Sequence, residues 1–128
     1  PGLAAVYMEE LTREGLFDAL RNRRAYAVSG ARIVMDVRAD GVFMGGRLAA
    51  GNDPVRVTIR VYARAPLHSV EVIKNGNVVK TYTSPESDME IEYTDGRREH
   101  KEDYIYVRAT QRDAHMAWSS PVWIGAEK

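Results

Sequence analysis

The chain contains no cysteine, which excludes a disulfide framework and any thiolate metal site. The absence fits a reducing compartment and fits cysteine-free exported bacterial proteins equally, so it leaves localisation open. Net charge is also missing: 18 basic residues balance 18 acidic ones. The chain as a whole therefore sets up no field that would draw it to nucleic acid or an anionic membrane. No apolar run approaches the ~20 residues that span a bilayer, and no charged leader precedes an apolar core. Internal repeats and low-complexity segments are absent as well. What remains, at 128 residues, is a single domain with enough chain to bury a conventional core. It starts Pro-Gly without a methionine, a start that reads as a boundary or a processed end and favours an upstream domain that is missing here.

Residues 1–11 read as an extended approach. Thr12, flanked by Leu11 and Leu16, has the spacing of an N-cap inside a hydrophobic staple. Glu14 suits the positive end of a helix dipole. Leu16, Phe17 and Leu20 make an apolar stripe, and Arg21, Arg23 and Arg24 fall where cations favour a last turn. This spacing predicts a helix over about 12–24.

From Ile33 onward the period is 2. Val55, Val57, Ile59 and Val61 alternate with Arg56, Thr58, Arg60 and Tyr62, the pattern of a strand with one wet face. VEVIKNGNVVKTY places two β-rich runs around Asn75-Gly76, the dipeptide that favours a type I′ hairpin turn because both residues tolerate positive φ. Met89, Ile91 and Tyr93 alternate with acidic residues, TDGRREHKED reads as a loop, and YIYVRATQ and MAWSSPVWI form a last pair of strands. Pro121 within the second of these marks an edge strand or a bulge, since it cannot donate to a ladder. The expectation is a mainly β domain over 31–126, an antiparallel, immunoglobulin-like β-sandwich of about seven strands preceded by one α-helix. Residues 1–30 make up the approach segment and this helix.

His68, His100 and His115 are widely separated, fit no ligand spacing and read as exposed loop histidines. Asp36, Asp40 and Asp53 surround turns, where aspartate accepts from backbone amides. GVFMGG at 41–46 lacks the spacing and lysine of a phosphate loop and reads as a glycine-rich turn. Neither a catalytic set nor a metal or cofactor site emerges. Two features remain open. Tyr104 and Tyr106 share one strand face and, with Trp118 and Trp123, form either core or cross-strand packing, or else a ligand platform or domain interface. In RNRRAYAVSGARI, Arg21 lies on the solvent side of the predicted helix, while Arg23 and Arg24 continue its buried stripe at +3 and +4 from Leu20. These two, with Tyr26, Ser29 and Arg32, are either structural or face an anion or an interface.

The same residues carry a resemblance. EELTREGLFDALRNRRAYAVSGARI resembles a run in uncharacterised proteins related to the polymerase-and-histidinol-phosphatase (PHP) superfamily of metal-dependent phosphoesterases, where it follows the metal-binding barrel. YIYVRATQRDAHMAWSSPVWI is similar to the end of those proteins, and residues 40–100 match only loosely. The resemblance implies a parent with a (β/α) barrel and divalent metal ions held by His-x-His and further His/Asp motifs, which activate water for phosphoester hydrolysis. None of those motifs occurs in this chain. It implies, then, a non-catalytic C-terminal domain whose partner is the missing upstream catalytic domain of the same chain, on which residues 1–30 would pack. At Val28-Ser29 the family pattern has two threonines, so only the second hydroxyl persists. The alternative is an immunoglobulin-like binding module for carbohydrate or protein that uses Tyr104 and Tyr106.

Overall fold

In a computed structural model, residues 3–6, 25–28, 32–49, 54–96 and 98–125 are described. They form twelve strands in two sheets. In chain order these are β1 (Leu3–Val6), β2 (Ala25–Val28), β3 (Val34–Ala39), β4 (Val42–Phe43), β5 (Arg47–Ala49), β6 (Val55–Tyr62), β7 (Leu67–Lys74), β8 (Asn77–Tyr82), β9 (Asp88–Asp95), β10 (Glu102–Gln111), β11 (Met116–Ser119) and β12 (Val122–Gly125).

This corrects the expected fold. A helix preceding about seven immunoglobulin-like strands is not what the described residues form: they are mainly β, contain no helix, and build twelve strands. The predicted helix at 12–24 lies outside the described residues. Strand number was underestimated because several elements are only two to four residues long, too short to establish a period of 2.

Sheet A is organised on β10. One side of β10 pairs with β7, which in turn pairs with β8. The other side serves two partners in succession, β12 along 102–105 and β11 along 108–110. β2 and β1 extend the sheet beyond β11, and β5 extends it beyond β12 in the one parallel pairing among the described strands. Sheet B has the order β4-β3-β6-β9.

Alternation places one row of each long strand in a core shared by the two sheets. From sheet B come Met35, Val37, Val57, Ile59 and Val61; from sheet A come Val70, Val72, Ile105, Val107 and Ala109. β6 alternates buried and exposed without a break over its eight residues, so the period read from its sequence is the period of its burial.

Two turns explain how the chain reaches this arrangement. Asp40 and Gly41 both have positive φ (46° and 87°) and turn β3 into β4. The chain then crosses from sheet B to sheet A through Met44–Gly46, where the Gly45 amide donates to the Pro121 carbonyl (2.7 Å) and the Trp123 amide to the Gly46 carbonyl (3.1 Å). Pro121 occupies the break between β11 and β12 rather than an edge strand. Opposite that break, the Val107 amide donates to the buried Ser119 hydroxyl (2.9 Å), so a side chain takes over where the ladder is interrupted.

Candidate functional site

At one end of the domain, charged groups are buried in phase with the core. Lys74 continues the inward row of Val70 and Val72, Asp95 that of Ile91 and Tyr93, and Asp103 that of Ile105 and Val107. Each is at most 4% exposed. Lys74 Nζ donates to Asp95 Oδ1 at 2.9 Å and lies 3.7 Å from both Glu99 Oε2 and Asp103 Oδ2. Arg98 bridges the same carboxylates, with Nη2 at 2.5 Å from Asp95 Oδ2 and Nη1 at 3.3 Å from Asp103 Oδ2. The backbone amides of Glu99 and His100 donate to Asp103 at 2.9 and 3.0 Å.

Burial alone would raise the Asp103 carboxyl. The hydrogen bonds from Asn75 and from the Glu99 and His100 amides, with the charge of Lys74, outweigh it and hold the group below the ordinary carboxylate range. The cluster clasps the β9–β10 loop to the β7–β8 turn.

Asn75 belongs to both. Its φ of 53° and that of Gly76, 88°, make the tight turn expected of Asn-Gly. Its side chain also donates to Asp103 (3.0 Å) and Glu99 (3.2 Å) and accepts from the Tyr104 amide (3.1 Å). Asn75→Gly keeps the turn geometry and loses those bonds. It is expected to cost about 2–3 kcal/mol; Asn75→Ala is expected to cost about 1 kcal/mol more because it also resists positive φ. Urea unfolding of both variants tests this order.

The second feature is the outer face of sheet A. Along β10, Ile105, Val107 and Ala109 enter the core, so Tyr104, Tyr106 and Arg108 point the other way. The Tyr104 and Tyr106 rings are nearly parallel (6°) with centroids 6.5 Å apart. Trp123, opposite Tyr104 in register, is tilted by 51° with its ring centroid 5.4 Å from that of Tyr104. Trp118 sits opposite Arg108. Arg108 pairs with Glu71 directly across from it, Nε donating to Oε1 at 2.7 Å. Ile73, opposite Tyr106, is buried yet lies outside the shared core.

Of the arginine-rich candidates, Arg23, Arg24 and Ser29 lie outside the described residues. The Tyr26 backbone pairs with Ala5 and Ser119, which places it in β2. Arg32 is exposed just ahead of β3. His68 and His100 are exposed and His115 is half-buried. Among the described residues no group of three or more His, Cys, Asp or Glu side chains is arranged to hold a metal ion. No helix among the described residues is long and apolar enough to cross a membrane.

Sequence reasoning missed the clasp, because TDGRREHKED is polar enough to read as a solvated loop. The signal lay in the strands on either side, where charged residues occupy positions in phase with core residues.

Residues 1–39 match the model of DUF3604, a family of proteins of unknown function. An uncharacterised protein of Chlamydia pneumoniae is 34% identical over 97% of this chain. Uncharacterised proteins of Chlamydia muridarum and Chlamydia trachomatis serovar D are 31% and 32% identical over the same share. The chain spans only 22–23% of the length of these relatives. No solved structure matches it.

Proposed function

We propose that this chain is a non-catalytic β domain of a larger, PHP-type metal-dependent phosphoesterase, and that it supports the catalytic barrel. The observation that carries the reading is how the family-matched segment is built in. Residues 1–39 contribute β1 and β2 to sheet A and β3 to sheet B. Hydrogen-bonded pairing thus runs from the matched segment into the rest of the chain, so the segment that carries the family match is an integral part of this β domain. The share of the relatives' length that the chain covers supports the same view, since most of such a protein lies elsewhere. Divalent metal ions and the residues that bind them belong, in this reading, to that other part. Arg23, Arg24 or Arg32 would lie near its anionic substrate.

The test uses the full-length Chlamydia pneumoniae relative, assayed on p-nitrophenyl phosphate and bis-p-nitrophenyl phosphate with Mn²⁺ or Mg²⁺. Metal-dependent turnover abolished by EDTA is expected. No turnover of either ester with any divalent metal tried would remove the phosphoesterase reading.

A further inference from the structure

We propose that the outer face of sheet A is the surface on which the remainder of the longer polypeptide docks, while the outer face of sheet B stays in water. The proposal rests on the reading of the chain as one part of a longer protein, but not on the chemistry assigned to that protein.

The two outer faces differ in kind. On sheet B, Arg60 stands opposite Glu90 and Thr58 opposite Glu92. Arg56 pairs with Glu92 at 2.6 Å, Arg38 with Asp36 at 2.9 Å, and the Tyr62 hydroxyl donates to Glu90 at 3.1 Å. Such a lattice of opposite charges is well solvated, and covering it would cost the hydration of every pair. The open groove on that face, lined by Thr58, Ile59, Arg60, Glu90, Ile91 and Glu92, belongs to the same lattice.

Sheet A presents Tyr104, Tyr106, Trp118 and Trp123, all half-buried, beside the exposed Val78 and the buried Ile73. Both tryptophans of the chain are therefore on this one face. Aromatic residues with an apolar body and a polar tip are enriched where protein surfaces meet. The charges on this face pair with one another, Arg108 with Glu71 and Arg47 with Glu102, so the face suits a folded protein surface better than a charged ligand.

Length and position choose the occupant. Over three-quarters of each relative lies outside the stretch that this chain matches. The family-matched strand β2 lies in sheet A, two strands from β10, so the matched segment is itself part of the sheet that carries the aromatic face.

Hydroxyl-radical footprinting read by mass spectrometry compares this 128-residue chain with the longer polypeptide that carries it. Oxidation of Tyr104, Tyr106, Trp118 and Trp123 is expected to fall about threefold or more in the longer polypeptide, as at a covered interface, with Tyr62 on sheet B unchanged. Equal oxidation of the four aromatics in both, or protection at Tyr62 in their place, overturns the proposal. So does protection that arises in the isolated chain as it dimerises in sedimentation runs, or on adding cello- or chito-oligosaccharides. Lack of phosphoesterase activity would leave an observed footprint intact, and an active enzyme without the footprint would remove the docking face alone.

Discussion

Lys74→Met is expected to destabilise the domain by about 3–5 kcal/mol, the range for breaking a buried ion pair from one side. That is a large part of the roughly 5–15 kcal/mol that holds a domain folded. The variant leaves Asp95, Asp103 and Glu99 with Arg98 as the one cation of the clasp. Asp95 loses its 2.9 Å partner outright. Asp103 suffers less, because Asn75 and two backbone amides still donate to it. In thermal unfolding the midpoint should fall on the order of 10–20 °C. The double variant Lys74→Met/Asp95→Asn removes one of the stranded charges and should recover part of the loss, giving a clear coupling energy in a double-mutant cycle. A midpoint within a degree or two of the parent would mean that water reaches the cluster and screens it.

The clasp also fixes the sign of the pH response. The folded-state pKa of Asp103 is depressed, so its contribution to stability is complete above the unfolded carboxylate value of about 3.9. It is lost as pH falls through the lower folded value. Stability should hold through the weakly acidic range and collapse below about pH 4. In Lys74→Met the depression weakens, so Asp103 contributes less stability and that contribution is exhausted at a higher pH.

The second large effect is expected at Gly125. Its φ is +139°, and a Cβ there would stand 2.4 Å from the Lys101 carbonyl oxygen and 3.0 Å from the Glu102 Cα. Both obstacles are backbone, so no side chain can swing aside. Gly125→Ala must push β12 away from the start of β10, where Gly125 pairs with Glu102. Overpacking and backbone strain each cost about 1–3 kcal/mol, which places the expected loss near 2–5 kcal/mol. Gly41→Ala is the matched control: φ is +87° but nothing lies within 4 Å of the added carbon. It carries backbone strain without the clash and should lose only about 1–2 kcal/mol. Equal losses at the two sites, measured by urea unfolding, would show that the strand end yields.

Much of the sheet structure was legible because long strands declare themselves. β6, β9 and β10 alternate over eight to ten residues, and Asn75-Gly76 marks its turn through φ alone. β4, β5 and the β11/β12 break were not legible, since two to four residues hold too little pattern. Their places come from long-range pairing. β5, for instance, aligns with β12 from the far end of the chain. The separation of Tyr104 and Tyr106 from the aliphatic row followed directly from alternation. The clasp was legible in principle and missed in practice, because Lys74, Asp95 and Asp103 occupy inward positions on three different strands. A lone buried charge contradicts such a pattern, whereas three of mixed sign at the same end of the domain satisfy one another.

The pairing of β2 with β11 has a consequence for how the chain is made. β1 and β2 leave the ribosome well before the strand that β2 joins, Met116–Ser119. The antiparallel pair they form has no sheet to complete until β11 is out, and pairings so distant in sequence are slow to close. During synthesis the early strands therefore wait with an open edge, which makes nascent chains of this protein prone to cross-pairing between neighbours on one messenger.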